Sequence, residues 1–228
     1  MKPVGQKHVL VDGTKVDKDV MLFKKWFDLV APAALMSPVV VPSHYTREYI
    51  DGQHSRQCQV DRINQCYKEL SAHSDLLLLE GTGHSGVGSV IDMNNAQVAA
   101  QLQAKVVLVG TGGLGSSFDE LELNRLAFKS YGVDIVGVIL NKCMPSKMDM
   151  LRHYFSRLIS SRWDDVPLLG LIPSNELLGK SSLSDLKKHI GARQLSGEAY
   201  NDKHYDLHDV HMVCSQGLDD PPPPHRDS

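Results

Sequence analysis

The sequence Asp75-Leu-Leu-Leu-Leu-Glu80-Gly-Thr-Gly-His-Ser-Gly-Val-Gly-Ser89 places four consecutive leucines before a carboxylate and a glycine-dense turn. An apolar run of this kind is typical of a strand that is buried on both faces of a parallel sheet. Such a strand would deliver Glu80 to the carboxyl edge of the sheet, where open α/β folds bind their ligands. The pattern predicts a carboxylate suited to hold Mg²⁺ beside a phosphate, with capping of the next turn as the alternative.

The composition limits the class of protein. The chain has 228 residues, of which 42% are hydrophobic, enough for one sizeable folded unit. Its net charge of −3 comes from interspersed basic and acidic residues, so neither nucleic acid nor an anionic membrane is expected as a primary partner. The four cysteines form no CxxC pair, and no apolar run reaches the length of a membrane span or a signal-peptide core. We expect a cytoplasmic protein.

Apolar and amphipathic segments alternate along the chain. The strand-like runs are residues 76–79, 106–109, 135–140 and 168–172, and the helix-like stretches between them are residues 90–102, 118–131 and 147–159. This βαβα order predicts an α/β fold with a parallel sheet. Two earlier helices are expected at residues 17–29 and 60–72, and the proline-interrupted region 32–52 between them is expected to be a long loop.

The opening Met1-Lys-Pro-Val-Gly-Gln6 and the acidic Val16-Asp-Lys-Asp-Val20 form a second candidate site. A lysine at a strand end beside aspartates at a helix start can bind a carboxylate or phosphate together with a metal, because each charge offsets the burial of the other. Ordinary surface charge is the alternative interpretation.

Two glycine-rich segments suggest phosphate or dinucleotide binding. Residues 83–88 have the GxxxxG frame of a phosphate loop, but no lysine follows, so at most the backbone amides of this turn could line an anion site. Residues 110–115 spell GxGxxG between a predicted strand and a predicted helix. The next strand ends in Asn141 rather than an acid, so an NAD-binding Rossmann-like protein is only an alternative, and a glycine turn lining another ligand is favoured.

Asparagines follow the last two predicted strands. Asn141 ends one strand, and Pro173 and Asn175 follow the other. An amide side chain donates and accepts hydrogen bonds at once, which suits the edge of a purine base. Helix capping is the equal alternative.

Together these segments resemble the dethiobiotin synthetase family of P-loop NTPases. Its relatives include the nucleotide-binding domain of some phosphate acetyltransferases and the cobyrinic acid a,c-diamide synthases. The resemblance is collinear from Lys2 to about residue 178, through Lys2-Pro-Val, Asp19, Ser37-Pro38, Glu80-Gly-Thr-Gly, Gly113-Leu-Gly115, Asn141 and Ile172-Pro173.

The resemblance implies a role for each matching position. Lys2 would be the catalytic, substrate-contacting lysine, Asp19 and Glu80 the Mg²⁺ ligands, and Asn141 the reader of adenine. The remaining nucleotide-site positions would be Gly113, Gly115, Pro173 and Asn175. The implied cofactors are ATP and Mg²⁺, the implied substrate is a small carboxylate, and the implied assembly is a homodimer.

The sequence also departs from the family pattern. Family members begin with a strand and a GTxxGVGKT loop, whereas this sequence starts at what would be the second strand. The expected fold is therefore a P-loop NTPase-like parallel sheet with helices on both faces that lacks its first strand and phosphate loop. Without the loop lysine the transferred phosphoryl group loses a main stabiliser, so we expect weak or no turnover.

The resemblance also suggests a domain organisation. Residues 1–190 would be the nucleotide-binding domain, residues 191–217 the remnant of a DRTGG-like segment, and residues 218–228 a disordered proline-rich tail. In the family reaction ATP phosphorylates a carbamate or carboxylate, and an intramolecular amine then attacks the mixed anhydride. The alternative from another class is a non-catalytic regulatory or interaction module.

Overall fold

The computed structural model describes residues 1–163 and 165–206. The chain divides into two compact units, Met1–Pro173 and Ser174–Ser228, and the second is described as far as residue 206. The predicted tail at 218–228 and the end of the predicted 191–217 segment lie outside the described residues. The predicted domain boundary at residue 190 stays a prediction.

The strands are short in the N-terminal part of the chain and longer in its middle. Their bounds are β1 Val4–Gly5, β2 His8–Val11, β3 Thr14–Asp17, β4 Val39–Val40, β5 Val106–Thr111, β6 Ile135–Cys143, β7 Leu168–Pro173, β8 Ser181–Ser182 and β9 His204–Tyr205. Strands β1 and β4 pair in parallel. Strand β2 pairs with β3, and β8 pairs with β9, in antiparallel ladders.

Helices and strands alternate from β5 to β7, as the periodicity predicts, whereas consecutive strands and consecutive helices occur before β5. Their bounds are α1 Lys18–Trp26, α2 Ala33–Met36, α3 Tyr45–Ile50, α4 Arg56–Ser71, α5 Asn95–Gln101, α6 Gly115–Ser130, α7 Met148–Arg162 and α8 Leu183–Ile190. Helix α4 begins after Ser55, whose side chain accepts a hydrogen bond from the Cys58 amide. No helix among the described residues is both long and apolar enough to cross a membrane.

The middle of the first unit is a parallel sheet with the strand order β5-β6-β7. Its buried side chains, including Val138 and Leu140, pack in one cluster with Leu121 of α6 and Phe155 of α7. The strands are parallel because a helix carries the chain back across the sheet between each pair. The predicted parallel α/β fold is confirmed.

The region 32–52, predicted to be a long loop, contains regular structure. Helix α2 begins after Pro32, β4 follows Pro38, and α3 precedes Gly52. The prolines do not prevent these elements, since Pro32 and Pro38 each stand just before the first residue of one. Residues 90–102 are a further correction, because the helix there begins only after Asn94, whose side chain forms a capping box with Gln97.

The leucine run at 76–79 does not form the predicted doubly buried strand. Leu76 and Leu78 are 77% and 75% exposed, and no strand is assigned to this segment. One edge of the segment pairs with Met1, whose nitrogen donates to the Leu78 carbonyl at 2.8 Å and whose carbonyl accepts from the Glu80 amide at 2.9 Å. Leu77 and Leu79 pack against buried clusters, so one side of the segment is covered and the leucines of the other side stay exposed.

Candidate functional site

Lys2, Asp17, Asp19 and Glu80 converge on one place, which we call the Lys2 cluster. The Lys2 ammonium hydrogen-bonds the Asp19 carboxylate and lies 3.5 Å from Asp17 Oδ1 and 3.8 Å from Glu80 Oε1. The Lys2 side chain is 9% exposed, whereas the two outer carboxylates, Asp19 and Glu80, are each about half exposed. A buried cation thus faces solvent through a pair of acidic side chains.

Backbone contacts fix the position of Lys2. Its amide donates to the Met36 carbonyl at 2.7 Å, at the end of α2, and the adjoining β1 pairs with β4. The Thr82 hydroxyl donates to the Val4 carbonyl, so the turn after Glu80 is tied to the same strand. Three segments distant in sequence therefore meet at the Lys2 cluster because β1 lies between them.

Asp17 organises the inner side of the cluster. It is 1% exposed, and its carboxylate accepts from the Asp19 amide at 2.9 Å and the Gln6 amide at 3.0 Å. Its own amide donates to the Ser37 hydroxyl at 3.0 Å. As the N-cap of α1, Asp17 places Asp19 in the first turn of the helix, where a carboxylate is favoured by the helix dipole.

The sequence predicted Asp17 only as one of two aspartates at a helix start in the second candidate site, with no separate role. The available signal was its spacing from Asp19, which is the spacing of an N-cap and a first-turn acid. A β-carbon at Gly5 would lie under 3.0 Å from the Asp17 carboxylate, so the small residue in the opening segment is required by this buried acid.

The pKa values in the cluster reflect burial and charge together. Burial lowers the pKa of Lys2, but the hydrogen bond to Asp19 and the charges of Glu80 and Asp17 outweigh it, so the net shift is upward. Burial raises the pKa of the Glu80 carboxyl, the positive charge of Lys2 opposes this, and Asp19 and Asp17 add to it. The cluster therefore keeps Lys2 charged and makes Glu80 a weaker acid than usual.

The chemistry of the cluster fits a hard divalent cation. Asp19 and Glu80 both contact the same Lys2 nitrogen, so their nearest oxygens lie less than twice 3.8 Å apart. Carboxylate oxygens are suitable ligands for Mg²⁺, which commonly takes one or two of them together with waters and phosphate oxygens. No group of three or more His, Cys, Asp or Glu side chains in the described part of the chain is arranged as a ready-made metal cage. The predicted ligands are brought together, with Lys2 between them.

Several backbone amides of the glycine turn at 81–89 are already engaged within the protein. The Thr82 amide donates to Asn95 Oδ1 at 3.1 Å, and the Ser85 amide donates to Asn124 Oδ1 at 2.7 Å. The Gly86 amide donates to the ring of His84 at 3.2 Å. In this conformation these amides do not offer the anion site that the sequence suggested, and Asn95 and Asn124 are contacts that the sequence did not reveal.

Packing explains the glycines of the GxGxxG segment. A β-carbon at Gly110 would lie under 3.0 Å from the Leu121 side chain, and one at Gly112 would lie under 3.0 Å from the Cys143 backbone. At Gly113 it would crowd the buried Ser117 hydroxyl, whereas at Gly115 nothing lies within 4 Å. The segment lies so close to α6 and β6 that packing alone requires Gly110, Gly112 and Gly113, whether or not a ligand binds. The NAD-binding alternative therefore gains no support from these glycines.

The predicted base-reading residues lie at strand ends. Asn141 stands opposite Thr111 on β5, and its Oδ1 accepts from the Lys142 amide at 2.8 Å. Pro173 ends β7 opposite Cys143 of β6. Asn175 belongs to the second unit, where its side chain accepts from the Leu177 amide at 3.0 Å and caps a short 3₁₀ turn. For Asn175 the capping alternative describes the observed contact.

Comparison with known proteins extends these observations. Residues 1–182 match the family model AAA_26, described as an AAA domain. A phosphate acetyltransferase from Nitratidesulfovibrio vulgaris is 27% identical over 66% of this chain and 22% of its own length. ATP-dependent dethiobiotin synthetases from Corynebacterium efficiens and Aromatoleum aromaticum are 34% and 27% identical, over 47% and 76% of this chain and 47% and 75% of their own lengths. The chain thus spans less than half of the first two of these relatives.

Proposed function

This chain belongs to the dethiobiotin synthetase-like P-loop NTPase family defined by the AAA_26 domain, and we propose that it binds Mg²⁺ and ATP to activate a small carboxylate or carbamate. The observation that carries the proposal is the Lys2 cluster. Three carboxylates and one ammonium leave a formal charge of −2 when all are ionised, which one divalent cation would balance. Three of the four residues that meet there, Lys2, Asp19 and Glu80, are those that the family resemblance assigns to substrate and metal.

Each residue of the cluster has a distinct part in the proposal. Asp19 and Glu80, which are half exposed, hold the metal, whereas the buried Asp17 keeps Lys2 charged and in place. Lys2 then offers its ammonium to the substrate carboxylate once the metal takes over the outer acids. When bound, Mg²⁺·ATP supplies a phosphoryl group for the carboxylate. Asn141, Pro173, Gly113 and Gly115 are proposed to lie along the nucleotide, and a homodimer is proposed as the assembly.

The 228-residue chain by itself is proposed to turn over weakly. Its sequence contains no GxxxxGK[ST] segment, and the Thr82 and Ser85 amides of the 81–89 turn are engaged internally. Nothing in the Lys2 cluster replaces a loop lysine beside the transferred phosphoryl group, since Lys2 is held by three carboxylates. We therefore expect the chain to bind metal and substrate but to transfer the phosphoryl group only slowly.

Calorimetric titration of the purified chain tests the proposal. We expect Asp19→Asn and Glu80→Gln each to weaken Mg²⁺ binding by about tenfold or more, because each removes one carboxylate ligand. Lys2→Ala should change it in the opposite direction, because it removes a cation that competes for the same oxygens. Asp149→Asn is the matched control, since Asp149 is also an exposed acid in the first turn of a helix.

Two results would contradict the proposal. If neither carboxylate variant changed Mg²⁺ binding, the cluster would be a structural ion-pair network and the regulatory-module alternative would be preferred. Binding of Mg²⁺·ATP with a dissociation constant below about 1 μM would contradict the reason given for weak turnover, which is the missing phosphate site. Such tight binding would require a phosphate site that the contacts described above do not provide.

A further inference from the structure

A group of large apolar side chains is exposed at the end of α1 and in the turn that follows it. Trp26 is 79% exposed and Val30 is 94% exposed. We call this group the α1 patch, and its members are Leu22, Phe23, Trp26, Phe27 and Val30. Single exposed apolar residues are ordinary, but contiguous exposed apolar surface marks an interaction site.

The α1 patch is held rigidly by the rest of the unit. Val20, in the first turn of α1, is buried in a core cluster with Met36 and Leu70. The rings of Phe23 and Phe27 stack with their centroids 6.0 Å apart. Because the apolar side chains project from an anchored helix, the patch does not need to be ordered when a partner arrives.

The turn that carries Val30 has its carbonyl groups satisfied from within. Lys24 Nζ donates to the carbonyl oxygens of Leu29 at 2.6 Å, Val30 at 3.3 Å and Ala31 at 2.8 Å. Carbonyl groups without partners are costly in an apolar medium, whereas carbonyls that are already bonded can enter it. The carbonyl groups of this turn therefore need no hydrogen-bond donor from outside the chain.

Unpaired positive charge borders the patch. Lys18 and Lys25 are exposed on α1, and neither has a carboxylate partner within the part of the chain that the structure describes. Asp28 is the single acid between residues 22 and 30. A partner that complements this surface is apolar where it meets the patch and negatively charged around it.

We propose that the α1 patch docks onto an anionic lipid surface. Its tryptophan and phenylalanines would enter the boundary between headgroups and acyl chains, and Lys18 and Lys25 would reach the negatively charged headgroups. The internally bonded turn around Val30 favours a lipid over an acidic protein, because lipid chains offer no donors or acceptors at all. A second copy is disfavoured because it would bring the lysines of two patches together.

The average charge of the chain conceals this surface. Composition predicts no anionic membrane partner because the net charge is −3, yet the exposed residues of α1 and its turn carry more lysine than acid. Peripheral docking depends on the local patch, since charges farther away than about 10 Å are screened at physiological salt.

Vesicle co-sedimentation with tryptophan fluorescence tests the proposal on the full 228-residue chain. One set of vesicles is phosphatidylcholine alone, and the other contains about a third phosphatidylserine. We expect binding to the second set only, weakened by salt, with a blue shift of Trp26 emission. Trp163, the other tryptophan, is buried and should not respond.

Matched variants separate the patch from general stickiness. Trp26→Ser with Val30→Ser, and separately Lys18→Glu with Lys25→Glu, should each reduce binding by about tenfold or more. Leu123→Ser and Lys129→Glu are the controls, because they change an equally exposed leucine and lysine on α6. Circular dichroism of each variant checks that it is folded.

Three outcomes would overturn the proposal. Equal binding to both sets of vesicles would show that charge is not recognised. Loss of binding in the α6 controls would show that the patch is not responsible. Binding to an acidic, phenylalanine-rich peptide without binding to either set of vesicles, or self-association abolished by the Trp26 and Val30 changes, would assign the patch to a protein partner instead.

Discussion

The apolar runs at residues 76–79 and 106–109 both predict a strand, but only the second run forms one. The second run became β5, which is paired along its length with β6 and packs one face with α6, whereas Val107 and Val109 are 41% and 62% exposed. The first run is joined to Met1 by two hydrogen bonds, at Leu78 and Glu80, and leaves Leu76 and Leu78 exposed. Both runs are thus half exposed, and they differ in their neighbours, because a run becomes a strand only where a partner strand pairs with it along its length.

Hydrogen exchange should show the largest difference between the two runs. Within the described residues, the amides of Leu77 and Leu79 donate to no backbone acceptor, whereas Val138 and Leu140 lie in the central strand of the sheet. We expect the amides of residues 76–79 to exchange at least ~10³-fold faster than those of β6, because central strands open only in larger unfolding events. Mass spectrometry of proteolytic fragments measures this. Comparable protection would mean that the run at 76–79 has a second partner.

Core substitutions should separate the two regions by several kcal/mol. Phe155→Ala removes a fully buried ring that packs against the central sheet, and it should lower the free energy of unfolding by about 3–5 kcal/mol. Leu78→Ala removes an exposed side chain and should change it by less than about 0.5 kcal/mol. Urea denaturation gives both values. A large loss for the Leu78 variant would show that the leucine is covered in solution.

Glycine substitutions sharpen the comparison at the carboxyl end of β5. Gly112→Ala should destabilise the protein by about 1–3 kcal/mol, because the new β-carbon meets the backbone of Cys143, which cannot move away easily. Gly115→Ala meets nothing within 4 Å and should be neutral or stabilising by up to about 1 kcal/mol. Thermal unfolding of the pair measures the difference. Equal losses would indicate that flexibility, and not close packing, is what these glycines provide.

The smallest expected effect is the pH dependence of stability that comes from Glu80, which follows the run at residues 76–79. Its pKa in the folded chain is raised above the reference value of 4.5, so the unfolded state releases its proton first. Stability from this group is therefore greatest in acid and declines as pH rises from about 4.5 to the folded pKa. Glu80→Gln should remove this decline in urea denaturation series. A Glu80 carboxyl that titrates below 4.5 by NMR would contradict the stated cause, which is burial.

The predictability of the site differs from residue to residue. Lys2, Asp19 and Glu80 could be predicted to converge, because parallel α/β folds gather strand ends and helix starts at one edge. The buried Asp17 could not be assigned, since its role depends on Ser37 and Gly5, which are separated from it along the chain. The contacts of the 81–89 turn could not be predicted either, because Asn95 and Asn124, which accept from two of its amides, lie farther along the chain.

The amino-acid sequence by itself determined the βαβα order, the parallel central sheet and the family, because periodicity and motif order are local or collinear properties. Tertiary structure alone decided which apolar run is paired as a strand, which carboxylate holds Lys2 and where charge and apolar surface lie together on α1. The physical reason is that burial and pairing depend on distances between residues far apart in the chain. A composition or a motif averages over those distances, whereas electrostatic and hydrophobic free energies depend on them directly.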